Sequence, residues 1–389
     1  MRKVHIGVTL VLVAALGLVT LPLCADEATN PEPQAKPETK APAPAAPPAA
    51  PAPGSPFQIK IGDASLRFGV LFQPQVDFQQ NTSGGTGQNF LIRRARFLIG
   101  GQVNKTVFFF FETENSRLGN ANAAGQKTWT SGFQTLDAVA EWRMNKKFNL
   151  SGGLIRVPTS RDALESAATE FTVDTNSYAF TATGALMGTG GRDTGVMARG
   201  YFFNDRFEYR AAVVSGYREN GIRNSFRRAA RVQYNFFDKE VYNLPSYAGS
   251  NFGAKKILAV GAAYDQQLDY HGMAADVFAD FPTKFGSAIG TATFQRLDGN
   301  VKLKAALPQS DIFTIDGGVF VKKFKAGPWA RYEQRAFDAT GKTEKRTIVG
   351  VNYYPYGNNF NVKLGYGRFT PVTGPEMTQF VIQLQAFYY

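Results

Sequence analysis

Cysteine is almost missing from this 389-residue chain: the single one, Cys24, falls within the first 25 residues. Past that point no disulfide, thiolate nucleophile or Cys-ligated metal is available. Histidine is nearly as scarce, with two in all, His5 and His271. His271 sits alone between Tyr270 and Gly272, with no second histidine near it, no GxxxxGK[ST] phosphate loop and no serine nucleophile-elbow motif. Long apolar runs are lacking too. After residue 25 nothing approaches the about 20 apolar residues of a membrane-spanning helix, and heptads are absent. These absences set aside a disulfide scaffold, a cysteine or metal enzyme, a helical membrane protein and a coiled coil.

The first residues read as an export leader. Arg2 and Lys3 precede an apolar run from Val8 to Val19, and Leu21-Pro22-Leu23-Cys24-Ala25 leads into Asp26-Glu27. This is the pattern of a signal peptide, 1–25, cleaved after Ala25. Lipidation of Cys24 is the alternative, and the bulky Leu23 before it argues against that. Residues 26–56 form a Pro/Ala-rich disordered linker, with a proline at nearly every second or third position from Pro31 to Pro56. Such a segment buries no core and extends as polyproline II, at about 3.1 Å per residue.

What fills 57–389 is alternation. In the stretch Asn89 to Asn115, Leu91, Ala95, Phe97, Ile99, Gly101 and Val103 share one parity while Arg94, Arg96, Gln102 and Asn104 share the other. Side chains alternate across a strand, so this is a two-faced strand. A turn at Asn104-Lys105 leads into a second, where Glu112 and Glu114 share a face with Phe108 and Phe110. The pattern recurs in about sixteen segments: 65–80, 89–104, 106–116, 133–143, 147–157, 191–203, 206–216, 225–237, 255–268, 271–282, 286–297, 311–323, 325–337, 345–356, 359–370 and 376–389. Their connections alternate short and long, as in membrane barrels with short periplasmic turns and longer outer loops. Two links break the rule, Asp238 to Ala254 (long) and Leu268 to Tyr270 (short), which points to a miscount there. The expected fold is all-β: a transmembrane antiparallel β-barrel of about 16 strands.

Charge decides which face is wet. The formal net charge is +12, and residues 1–56 hold four basic and four acidic residues, so the whole excess belongs to 57–389. The basic residues stand at alternate strand positions: Arg227 and Arg231; Arg331 and Arg335 with Glu333; Arg206 and Arg210 with Glu208. A charge on the lipid face costs about 2 to 4 kcal/mol at the midplane, so the charged parity lines a lumen and the apolar parity meets lipid. Aromatic pairs near strand ends, Phe202-Phe203, Phe236-Phe237, Tyr353-Tyr354 and Tyr388-Tyr389, suit interfacial girdles. The long segment Pro158 to Gly190, with a short helix over Arg161 to Ala168 capped by Ser160, would narrow the pore if tucked inside it, and the alternative is an outer lid exposed to solvent.

The stretches FLIRRARFLIGGQVNKTVFFFFE (90–112), GLIRVPTSRD (153–162), GRDTGVMARGYF (191–202), and ILAVGAAYDQQ with ADVFADFP (between 257 and 282) resemble the phosphate-selective porin family, of the porin O and porin P type. The resemblance implies a sixteen-stranded trimeric outer-membrane channel for anions, with arginines on the wall and inward loops at the constriction. It places Arg94 and Arg96 on that wall and Arg161 in the constriction loop.

The function expected is passive diffusion of small anions, phosphate among them, through a lumen made positive by Arg94, Arg96, Arg161, Arg210, Arg227, Arg231, Arg331 and Arg335. Arginine stays charged and offers a planar fork to oxyanion oxygens. No cofactor, metal or nucleic acid is expected, and the partners are small inorganic anions, outer-membrane lipid and further copies of the chain. Two rivals remain. An enzyme would have to rely on His271 or on Glu112 with Glu114. An anchoring barrel would hold the envelope through its Pro-rich arm, as a non-selective or structural element.

Overall fold

The computed structural model describes residues 57–80, 84–121, 126–127, 129, 132–174, 177–186, 190–218, 225–240 and 246–389. The leader and the Pro-rich linker lie outside the described residues. The strands are β1 Gln58–Ile61, β2 Ala64–Gln80, β3 Thr86–Gln102, β4 Val107–Leu118, β5 Gln134–Asn145 and β6 Phe148–Arg156. Then follow β7 Arg192–Phe202, β8 Phe207–Val214, β9 Arg227–Asn235, β10 Ile257–Gln267, β11 Tyr270–Thr283 and β12 Gly286–Asp298. The last are β13 Ser310–Val321, β14 Ala326–Phe337, β15 Thr343–Tyr353, β16 Phe360–Thr370 and β17 Met377–Tyr388.

From β2 onward each strand pairs antiparallel with the next, and β17 pairs back onto β2 from Gln379↔Gln79 to Tyr388↔Val70. Sixteen strands thus close a barrel with no free edge, which is what a sheet in hydrocarbon requires. Each segment read from the sequence coincides with one of these strands, with ends displaced by three residues or fewer. The short β1 is extra. It pairs Gln58↔Arg67 along β2, where the ladder with β17 has ended.

The faces are inverted relative to a soluble sheet. Along β2, Val70 and Phe72 are 43% and 42% exposed, while Gln73, Gln75 and Asp77 are buried on the inside. The same holds across β14 to β17: Val349, Val351 and Tyr366 face outward, and Arg331, Glu333, Asn352, Lys363 and Gln383 inward. Greasy rows meet lipid and polar rows line the interior.

Four expectations need correction. The two irregular links are genuine and the strand count is right: β10 and β11 join through Leu268-Asp269 alone, and part of the Asp238–Ala254 link turns into the barrel, with Glu240 and Tyr247 fully buried. Leu91 does not share the outer face with Ala95 and Phe97. A β-bulge shifts the β2/β3 register at Gln73/Pro74, so parity flips there and Leu91 points inward, 4% exposed. Pro74 has no N–H for the ladder, and prolines within sheets collect at such irregularities. Of the expected girdle pairs, Tyr354 and Tyr389 turn inward, as alternation demands of neighbours; Tyr389 packs edge-on to Phe110 at 5.8 Å. Tyr388 keeps the outer face and meets Phe57 at 5.4 Å. Finally, the helix after Ser160 is shorter than expected, as described next.

Candidate functional site

The stretch that follows β6 enters the barrel. Ser160 caps helix α1 (Arg161–Leu164) by accepting a hydrogen bond from the Ala163 N–H at 3.1 Å, and the helix stops at Glu165, which is extended. It ends early because the chain beyond it pairs with the inward link from the turn end. The Tyr247 N–H donates to Leu164 O and the Ser166 N–H to Tyr247 O, both at 2.9 Å. From there the segment crosses the interior to Asp174, and its apolar residues Phe171 and Val173 pack on Trp329, Tyr354 and Val381.

Wall side chains supply donors for the carbonyls of this crossing segment, which would otherwise be buried without partners. Arg156 donates to Glu165 O at 2.8 Å, Gln385 to Ala168 O at 2.8 Å, and Tyr354 Oη to Phe171 O at 2.8 Å. Lys363 Nζ donates to Glu170 O at 2.5 Å and to Thr172 O at 3.2 Å. Arg331 donates to Thr172 Oγ1, to Val173 O at 3.3 Å and to Asp174 O at 2.5 Å. At the end of the run the Asp174 carboxylate takes Arg93 Nε at 2.8 Å and Arg94 Nη2 at 2.7 Å. The bulge makes this clamp. Strict alternation would send one of two consecutive arginines into lipid, whereas the extra residue turns both inward.

The arginines singled out from the sequence are all inside, in four groups. Arg94 and Arg96 stand together: Arg94 on Asp174 and Gln73, Arg96 on Glu114 at 2.7 Å and Glu112 at 3.0 Å. Arg161, Arg210 and Arg231 surround the Tyr247 ring at 4.8, 4.6 and 5.4 Å. Each of these three has a carboxylate: Arg161 a two-pronged bond to Glu240 at 2.9 Å, Arg210 Glu208 at 2.8 Å, Arg231 Asp276 at 2.5 and 2.7 Å. Arg227 is paired with Asp265 at 2.5 and 2.8 Å. Arg331 is committed to the crossing segment, while Arg335 is half-buried beside Ser310 and over Phe337. The group around Tyr247 fills the interior on the β8–β11 side.

Open space lies on the other side. A cavity of about 340 Å³ is bounded by Arg93, Arg117, Arg331 and Arg346, with Asp174 as the one lining carboxylate among the described residues. Gln75, Gln79 and Gln379 add amides. Among the described residues the buried Nε groups of Arg331 and Arg346 have no hydrogen-bond acceptor, although Asp316 lies 3.8 Å from the first guanidinium and Glu333 4.0 Å from the second. Sequence reasoning missed Arg93, Arg117, Arg346 and Lys363. Arg346 and Lys363 stand on the inward parity of their strands and were legible; Arg93 needed the bulge, and Arg117 needed the left-handed residue (φ 57) at the end of β4.

Among the described residues no cluster of His, Cys, Asp and Glu is disposed to hold a metal. Most interior arginines have an adjacent carboxylate, and the chemistry on offer is electrostatic: fixed guanidinium donors around an open cavity.

A closed sixteen-strand barrel, apolar outside, polar inside and narrowed by an inward segment, is the fold of outer-membrane porins. Residues 68–245 match the model of the family described as phosphate-selective porin O and P, which bears out the resemblance carried by the motifs between 90 and 202. Solved structures share the fold. OmpF of Salmonella typhi, in complex with daunomycin, aligns with TM-score 0.60 at 13% identity over 85% of this chain and 100% of its own. OmpT of Vibrio cholerae, in vitro folded and in a trimer form, aligns at 0.52 and 14% over 84% and 99%. The outer-membrane channel DcaP of Acinetobacter baumannii aligns at 0.53 and 11% over 85% and 99%. No curated protein matches the chain.

Proposed function

We propose that this porin carries small anions, phosphate among them, by passive diffusion along the wall formed by β2, β3 and β14 to β17. The observation that carries this reading is the cavity with four arginines around it and one carboxylate, which is itself clamped by Arg93 and Arg94. An anion entering it meets a ring of guanidinium groups that outnumber the lining carboxylate, inside walls of low dielectric that strengthen the attraction. The arginines around Tyr247, with Arg227, are neutralised by adjacent carboxylates; they brace the wall and add little net field. Arg96, held by both Glu112 and Glu114, belongs with them, and Arg94 and Arg335 lie between these extremes. The match to the phosphate-selective porin family supports phosphate as one of the anions.

On this reading the chain is exported by cleavage after Ala25, residues 26–56 tether the barrel, and three copies assemble, as in the trimer form of OmpT. The test is the reversal potential across a KCl gradient in planar bilayers. Chloride preference is expected, with chloride current reduced when phosphate is added, and cation preference would overturn the reading.

A pH dependence follows from Glu170, in the crossing segment. Burial pushes its carboxyl above the ordinary glutamate value, although Arg94 pulls the other way. As pH falls through that raised value the interior loses one negative charge, so anion preference should rise on acidification. The sign for stability is the same: an unfolded glutamate ionises first as pH climbs, so docking of the segment weakens from the unfolded value up through the folded one. Glu170→Gln should show the higher anion preference at neutral pH and a flattened pH response. A variant with the wild-type pH profile would assign the titration elsewhere.

A further inference from the structure

The outer wall carries a groove apart from the lumen. The turns after β11 and β13, Thr283–Gly286 and Lys322–Lys325, bear Lys284, Lys322, Lys323 and Lys325 and no carboxylate. Between them lies a groove of about 750 Å³ that opens on the lipid side. Its floor is Ala288 of β12 with Val319 and Val321 of β13, and its flanks are Phe285 and Phe324, 76% and 65% exposed. Lys284, Lys322 and Lys323 stand at its rim.

The groove is built rather than incidental. The Lys322 N–H donates to Phe285 O at 2.8 Å, which ties the two turns together. The Thr283 hydroxyl accepts from the Gly286 N–H at 3.1 Å. Gly286 has φ +156, and a Cβ there would lie 1.8 Å from Phe320 O, so only glycine lets the turn close against its neighbour. The short-turn end of such a barrel faces the periplasm, so the groove sits at the level of the inner-leaflet head groups.

We propose that this groove holds an anionic phospholipid, its acyl chain along Ala288, Val319 and Phe285 and its phosphate among the ammonium groups of Lys284, Lys322 and Lys323. Charge and polarity select this occupant. A free phosphate has no use for an apolar floor. A zwitterionic lipid brings no net charge to three lysines without a facing acid. An anionic lipid satisfies both halves, because lysine stems lie along apolar surface while their heads reach the phosphate layer.

The test is binding of phosphatidylglycerol and phosphatidylcholine to the full barrel, delipidated in detergent, read by native mass spectrometry. The wild type should favour phosphatidylglycerol by about tenfold or more. The exposed triple change Lys284→Gln, Lys322→Gln, Lys323→Gln should bring the two lipids within about twofold, while Lys342→Gln with Lys345→Gln, at the opposite end, should keep the preference. Inorganic phosphate in excess should not displace the lipid. A wild type without preference, a triple variant that retains it, or displacement by phosphate would each overturn the proposal. None of these outcomes touches lumenal selectivity, so the test stands apart from that of anion transport.

Discussion

Replacing Asp174 by alanine should free the segment that crosses the lumen and raise single-channel conductance by a factor of about two or more. Asp174 is where the segment's far end is fastened. Its carboxylate holds Arg93 and Arg94, and its backbone sits at φ 61, a conformation that aspartate and asparagine tolerate and most residues resist. Each charge-assisted bond contributes about 1.5 to 3 kcal/mol when buried. The Asp174 side chain is 29% exposed, so the clamp as a whole is better put at about 2 to 4 kcal/mol. Alanine removes it and also unmasks two guanidinium groups, so anion preference should rise together with conductance. The change Asp174→Asn is the informative intermediate, because it keeps an acceptor and the backbone preference but removes the charge.

Acid should not reproduce that effect readily. Burial alone would raise the Asp174 carboxyl, but Arg93 and then Arg94 outweigh it and hold it well below the usual aspartate range. A depressed carboxylate contributes in full above its unfolded value, near 4, and the contribution shrinks gradually from there until it is gone at the much lower folded value, so about half a pH unit below 4 most of it remains. Conductance recorded at pH about 3.5 should therefore still be that of the closed segment. A jump on crossing pH 4 would mean that something other than this ion pair fastens it.

How much of this was legible follows from the range of the interactions concerned. Period-two alternation is local, so sixteen strands and their inside and outside faces could be read from residues such as Arg227, Arg231, Gln233 and Asn235, all of which are buried on the inner wall. The bulge was hidden because it depends on which residue of β2 faces Arg94, although Pro74 and the doubled Arg93-Arg94 were its traces. That the Asp238–Ala254 link enters the barrel was read as a counting error, since short turns are the rule and only a distant partner explains the exception. Arg161 and Glu240, 79 residues apart, meet with neither side chain exposed to solvent. No spacing announces such a pair. The same blindness applied to the segment after Ser160: its length marked it, but the donors that hold it come from β3, β6 and β14 to β17.

Reversing two charges at the mouth of the cavity, Arg117→Glu with Arg346→Glu, should turn the channel toward cations. The two residues line the space without anchoring the crossing segment: Arg117 is exposed and touches Asn120 at 3.1 Å, and Arg346 rests over Phe369 at 4.1 Å with Glu333 no nearer than 4.0 Å. Together the changes remove four units of positive charge from walls around about 340 Å³. At separations near 8 Å, screened by mobile ions, each unit is worth about 0.5 to 1 kcal/mol to a passing ion. An anion should thus lose about 2 to 4 kcal/mol, some thirty- to several-hundredfold in its own permeability, while a cation gains as much. The matched control is Arg227→Met with Asp265→Leu, which deletes a buried ion pair without changing net charge. Exchanging such a pair for apolar side chains is often close to neutral in stability, and its dipolar field fades quickly with distance. Selectivity there should stay within about twofold of wild type. Equal shifts in both variants would mean that the field is spread over the whole wall, and that the cavity beside β15 has no special part in choosing the ion.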